Sequence, residues 1–180
     1  MPFQRSSPDV IRSVRQRWLF SHWSRARGKD AVPAWNSLDA DDLAKMAESL
    51  LFCDVATDDG IRFLIRFRGQ RIVEILGSKQ AEHLDEILPA VIREETLTAY
   101  KEAVRTKQPV FTIASTRDPA GKPVNLERLV LPFGRDGSTV DRILASLEMV
   151  SIEGGFNSRE LLKAQSTPPT NSLNAIIVLT

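Results

Sequence analysis

The sequence predicts an α+β domain, a five-stranded antiparallel sheet with short helices on one face and an N-terminal amphipathic helix ahead of it. Three observations predict it. Residues 61–68 alternate Phe63, Ile65 and Phe67 against Arg62, Leu64, Arg66 and Arg68, the period of a half-buried strand. Residues 69–107 place apolar side chains at helical spacing. Beyond Pro109, three strand-like segments are separated by turn-forming Asp, Pro and Gly. Two strands, a helical block and three strands in consecutive hairpins close most simply into one sheet with its helices gathered on one side.

Each element follows from local signals. Ser7-Pro8-Asp9 reads as a helix start, with a hydroxyl cap, Pro at the first helical position and an acid at the positive dipole end. Gly28 reads as the stop. Between them Ile11, Val14, Trp18, Leu19, His22 and Trp23 share one face, and five arginines lie mostly off it. After Pro33 a second helix is expected, capped by Asn36 or Ser37, with Asp39, Asp41 and Asp42 in its first turn and Leu43, Met46, Ala47 and Leu50 facing inward.

Residues 51–57 and 61–68 flank Asp58-Asp59-Gly60 and predict a hairpin. Short helices are expected at 69–77 and 83–88, then a longer one at 91–107 facing inward through Leu97, Tyr100 and Val104. Strands are expected at 110–116, 123–133 and 140–150. A short helix at 158–165 and a flexible linker at 166–172 lead to Ala175-Ile176-Ile177-Val178-Leu179, a strand-prone patch that fits a sheet edge, its own core or a partner. This divides the chain into an N-terminal helical extension at 1–34, a domain at 35–152 and a flexible tail at 153–180.

Composition narrows the function classes. The 24 basic and 23 acidic residues give a net charge of +1, which supplies no field to steer the chain onto nucleic acid or an anionic membrane. A single cysteine, Cys53, leaves no internal disulfide framework and no multi-cysteine zinc site. The N-terminus lacks the apolar run of a signal peptide, and no stretch reaches membrane-spanning length. A cytoplasmic protein is expected, binding neither nucleic acid nor membrane.

Three stretches carry a family resemblance. The first runs from Trp35-Asn36-Ser37-Leu38-Asp39 to Leu50-Leu51-Phe52-Cys53-Asp54-Val55. The second is Phe63-Leu64-Ile65-Arg66-Phe67-Arg68-Gly69-Gln70-Arg71-Ile72-Val73, the most specific of them. The third is Glu127-Arg128-Leu129-Val130-Leu131-Pro132-Phe133 with the Asp-Gly turn and Ile143-Leu144-Ala145-Ser146 that follow. From about Trp18 to Val150 the chain resembles the variant PAS family of short alphaproteobacterial proteins. The resemblance implies a fold used for sensing or protein contact, with a ligand site between sheet and helices.

Cys53 falls in the first predicted strand and lacks the Asn-Cys-Arg-Phe-Leu setting of light-sensing flavin PAS domains, so a buried apolar thiol is expected. The long helix holds no histidine for haem, and neither haem nor flavin is expected. His22 and His83 read as a packed amphipathic side chain and a polar helix-start residue, with no metal site. Tyr100 needs a polar partner for its hydroxyl, from a ligand or a neighbouring side chain. Arg66, Arg71, Glu127 and Arg128 fit either ion pairs or the recognition of a carboxylate.

Phe63, Ile65, Phe67, Arg71, Tyr100, Glu127 and Leu129 are therefore the ligand-pocket candidates, and Val14, Trp18, Leu19 and Trp23 the candidates for a dimer or partner interface. No nucleophile-and-base motif, phosphate loop or metalloprotease motif is present, so no catalytic residue is assigned. The expected function is a stand-alone sensing or interaction module, homodimeric and acting in trans on a signalling protein, with a small molecule as its candidate ligand. The alternative is a ligand-binding α+β cone with a hidden acid/base pair such as His83 with Glu127.

Overall fold

The computed structural model of the protein describes residues 1–58, 60–163 and 165–178. Its strands are β1 (Gln4–Ser6), β2 (Leu50–Ala56), β3 (Arg62–Arg68), β4 (Val110–Arg117), β5 (Pro123–Phe133), β6 (Arg142–Val150) and β7 (Thr170–Ile177). Its α-helices are α1 (Val14–Arg27), α2 (Ala40–Ala44), α3 (Gln70–Leu76), α4 (Leu84–Ile87) and α5 (Ala90–Thr106). The strands form one sheet in the order β1-β7-β4-β5-β6-β2-β3.

The five expected strands are all present, and the sheet has two more than expected. β7 pairs antiparallel with the free edge of β4, from Val110↔Ile176 to Ser115↔Thr170. β1 then pairs parallel with β7 through Gln4↔Ala175 and Ser6↔Ile177. The C-terminal region expected to be flexible thus supplies a strand, because β4 otherwise presents unpaired N–H and C=O groups and residues 173–177 bring the apolar alternation to cover them. Ala175 and Ile177 are fully buried. Leu179, at the end of that expected patch, and Asp59, in the expected hairpin turn, lie outside the described residues.

Helix starts differ from expectation for local reasons. Ser7-Pro8 opens only a short turn over Pro8–Val10, and α1 begins after Ser13, whose hydroxyl accepts from the Gln16 N–H. The break carries Ile11 into the core in an extended conformation, where the Arg17 Nε donates to its carbonyl at 2.6 Å. Gly28 does end α1, at φ 55°. α2 is capped by Asp39, not Asn36 or Ser37, since one carboxylate oxygen there accepts from both the Asp41 and Asp42 N–H groups. Where a helix is expected at 158–165, residues 159–163 form turns instead, and Ala164 lies outside the described residues. These turns are anchored where the Glu160 and Leu162 N–H groups donate to the Glu74 and Ile75 carbonyls.

β2 and β3 form the expected hairpin, with an irregularity between Phe52 and Cys53. At its exit, Gly69 lets the chain pass against the turn before β2, where any Cβ would overlap the Ala47 and Glu48 carbonyls. Helices α3, α4 and α5 cover one face of the sheet. α1 crosses the other, where Trp23 Nε1 donates to the Pro132 carbonyl at 2.7 Å and Gln16 Nε2 donates to the carbonyls of Glu127 and Ser146. Leu19 and Trp23, expected at an interface with a second molecule, are fully buried in their own chain. They are corrected to core residues, because the outer face of β5 and β6 carries Leu129, Leu131, Phe133 and Leu144, all of them buried.

Candidate functional site

The site grows out of the strict alternation of β5 and β6. In their antiparallel register Arg128 lies opposite Leu147 and Val130 opposite Ala145, all on the face under α5. Glu127 lies opposite Glu148 and Leu129 opposite Ser146, on the face under α1. Glu127 and Leu129, expected in the pocket, are therefore turned away from it. Both faces of β5 are buried, so its hydrophobicity carries no alternation from which the parity could be read.

Between this floor and the helices lies a narrow cavity of about 30 Å³, enough for a water-sized group or two. Arg128, Ala145 and Leu147 form its floor with Leu51 of β2. Thr96, Tyr100 and Ile92 of α5 roof it, Ile72 and Leu76 of α3 wall one side, and Leu162 from the C-terminal turns closes it. Tyr100 is expected there and is present; Phe63 stacks edge-on against its ring at 5.3 Å. Ile65, half-buried, pairs with Cys53 on β2 behind this layer.

The polar groups of the cavity are poorly partnered. Arg128 is 8% exposed and Thr96 3% exposed, and among the described residues neither Arg128 Nη1 nor Thr96 Oγ1 has a hydrogen-bond partner. The nearest acid, Glu95, brings Oε1 only to 3.9 Å from Arg128 Nη1, and that oxygen is also buried without a partner. Burial, with the nearby Cys53 thiol, holds the Tyr100 hydroxyl protonated far above its ordinary range. Burial also pushes the Cys53 thiol up to about 12, so it stays a neutral thiol at physiological pH.

The remaining expected residues serve the surface. Arg71 pairs with Glu48 at 2.7 Å and approaches Glu148 at 3.6 Å, away from the cavity. Arg66 pairs with Asp54 at 2.6 Å, and Arg142 meets the same carboxylate at 3.0 Å. Phe67 is 39% exposed on the outer face, tilted against Phe52, which packs edge-on to Trp35. Val14 is 81% exposed, and Trp18 is half-buried, stacked on His22 at 3.7 Å. His83 bridges to Leu64 of β3 and reaches Glu86, with β2 and β6 between β3 and the strand of Glu127. With His83 on the outer edge of β3, four strand spacings, about 19 Å, separate it from Glu127, and they form no acid/base pair.

Under α1, Glu127 and Glu148 face each other with one carboxylate oxygen of each unpartnered. Burial raises the pKa of both, opposed by Arg12 at Glu127 and by Arg15 and Arg71 at Glu148. Sequence reading also missed Thr96 and Glu95. The inward face of α5 runs through Ile92, Thr96, Ala99, Tyr100 and Ala103, one position off the expected Leu97 and Val104. A polar residue on that face gives no apolar signal; its one detectable trace is the gap it leaves in the helical period. Among the described residues, no group of three or more His, Cys, Asp or Glu side chains is arranged to hold a metal.

No curated protein matches the chain. Among solved structures, one of VqmA bound to DPO is similar at 14% identity and a TM-score of 0.43, over 61% of this chain and 56% of that one. Two others are similar at 15% identity and a TM-score of 0.44, over 63% of this chain. One is of the Vibrio cholerae VqmA dimer in the absence of target DNA, the other of the VqmA–ligand–DNA complex. The chain spans 52–56% of the length of these structures. Residues 11–148 match the PAS domain, and with most of its length in that match the chain belongs to the PAS domain family.

Proposed function

We propose that the chain is a ligand-sensing PAS module, without catalytic activity of its own, that reports to a partner in trans. The observation that carries this reading is the buried cavity whose Arg128 Nη1 and Thr96 Oγ1 have no hydrogen-bond partner among the described residues. Buried polar atoms cost stability when unpaired, so a bound small molecule that pairs them would stabilise the folded state. Neither haem nor flavin is part of the reading.

The route from cavity to surface runs through two strands. Arg128, Ala145 and Leu147 face the cavity, while Gln16 of α1 bonds from the opposite side to the carbonyls of Glu127 and Ser146, their immediate neighbours. A ligand that shifts β5 against β6 changes the distance between the two carbonyls that one Gln16 amide holds at 2.9 and 3.1 Å. α1 is then the reporting element, and the exposed Val14 with Trp18 one turn on is where a second copy of the chain would meet it. A cytoplasmic setting completes the proposal: no described helix is long and apolar enough to cross a membrane.

Native mass spectrometry of freshly purified protein, set against its denatured mass, tests both parts. An added mass that disappears on denaturation, carried by a dimer, is the expected result. A ligand-free species that stays monomeric across the micromolar range sinks the dimer, and no stabilisation by any small molecule in a thermal-shift screen sinks the sensor.

A further inference from the structure

The outer face of the sheet carries a second concavity, which plays no part in the sensing role proposed above. α1 crosses this face over β5 and β6, and beside it, over β2 and β3, lies an open groove of about 400 Å³, a volume in the range of small-molecule sites. Three aromatic rings and three charged side chains line it: Trp35, Phe52 and Phe67, with Asp54, Arg66 and Arg142. Trp35 is fixed at its border, edge-on to Phe52 at 4.8 Å and to Phe133 at 5.2 Å.

A β-bulge brings these groups together. Phe52 pairs with Phe67 but Cys53 pairs with Ile65, so β3 carries Arg66 as an extra residue. Neighbours in a regular strand point to opposite faces, yet here Arg66 and Phe67 both reach outward. Phe67 lies against the Phe52 ring at 5.5 Å, and Arg66 Nε donates to the Asp54 carboxylate at 2.6 Å, with Phe52 and Asp54 two residues apart on the same face of β2. The irregular register thus sets an aromatic ring, 39% exposed, beside a guanidinium.

Charge then selects the class of ligand. Asp54 also accepts from Arg142 Nε at 3.0 Å, so one carboxylate serves two guanidiniums and one positive charge is left in excess. Among the described residues neither arginine bonds through Nη1 or Nη2, and each keeps the two-donor edge that matches a carboxylate. Arg142 is the better anchored, with its guanidinium 5.6 Å from the centre of the Trp35 ring and its side chain 36% exposed against 59% for Arg66. A cationic ligand would meet both guanidiniums, and the Trp35 face that could attract it is already taken by Arg142.

We propose that this groove binds a small aromatic monocarboxylate. Its ring lies against Phe52 and Phe67, its carboxylate accepts from Nη1 and Nη2 of Arg142, and its single charge cancels the excess left by Asp54.

The test is an NMR titration of the full chain with benzoate, benzamide and acetate at constant ionic strength, followed at the Trp35 indole N–H and the Phe67 backbone N–H. Benzoate should bind about tenfold more tightly than either other probe, since benzamide lacks the charge and acetate the ring. Arg142→Gln should bring benzoate down to the level of benzamide. Phe67→Ala, at an exposed position, should weaken benzoate and benzamide by a similar factor, and serves as the variant if Arg142→Gln does not fold. Benzamide or acetate binding as tightly as benzoate overturns the proposal, as does a benzoate preference that survives Arg142→Gln. Benzoate binding left unchanged by Phe67→Ala, or no shift at Trp35 and Phe67 with any probe, overturns it as well. If these signals move with protein concentration alone, the face is covered by a second copy of the chain and the proposal falls.

Discussion

The two faces of the sheet are built from the same strands and bury comparable side chains, yet they are finished differently. Under α1 the contacts are closed: Trp23 is fully buried and bonded to Pro132, and Gln16 ties β5 to β6. Under α5 the helix stands off, leaving a cavity with Arg128 and Thr96 unpartnered. A face that closes on itself contributes stability; a face that leaves polar atoms unpaired gives some up and keeps a place for a ligand. The α1 side has its own defect in the opposed Glu127 and Glu148, which lie at the start of α1, while Trp23 anchors its later part.

Breaking the closed face should have the largest effect. Trp23→Ala removes a fully buried indole and leaves the Pro132 carbonyl unpaired, and should cost about 3–5 kcal/mol in urea denaturation. A loss below about 1 kcal/mol would mean that α1 is not docked as described.

The acid pair gives a smaller effect with a pH signature. Burial raises the Glu127 carboxyl in the folded state, so the fold binds protons more tightly there than the unfolded chain does. The stability associated with that proton is fully present below the unfolded carboxyl range and is lost as pH rises through the folded value. Glu127→Gln should therefore stabilise the protein by about 1 kcal/mol at pH 7, by removing a buried unpartnered charge, and by less at pH 4. An equal or larger gain at pH 4 would show that Arg12 outweighs burial.

The open face gives the smallest effect. Thr96→Val replaces an unpartnered buried hydroxyl by a methyl, and should leave stability unchanged or raise it by less than about 1 kcal/mol. A loss above about 1 kcal/mol would mean that the hydroxyl has a partner in solution, and the contrast between the two faces would narrow.

Much of the fold was legible because it rests on local chemistry. The alternation at 62–68 marked β3, Gly28 marked the end of α1, and the Asp-Pro-Gly and Asp-Gly turns marked the hairpins joining β4, β5 and β6. The candidate site was legible only in part. Tyr100 sits in the cavity and Phe63 packs on it, but Phe67 is exposed, Arg71 is half-buried against Glu48 and Glu148 outside the cavity, and Glu127 and Leu129 are one residue out of phase with Arg128. Periodicity fixes which residues share a face and leaves open which face meets which helix when both are buried.

The sequence by itself determined the class, the order of elements from α1 to β6 and the family, since turn residues, caps and periodic apolar runs act within a few residues of one another. Only the tertiary structure decided the rest. Pairing of β7 with β4 joins residues 55 to 66 positions apart, from Ser115↔Thr170 to Val110↔Ile176. The docking of α1 brings Gln16 onto carbonyls 111 and 130 positions away. The approach of Glu95 to Arg128 sets a helix against a strand. Such contacts depend on how whole elements share the burial of a common core, and no local pattern encodes them.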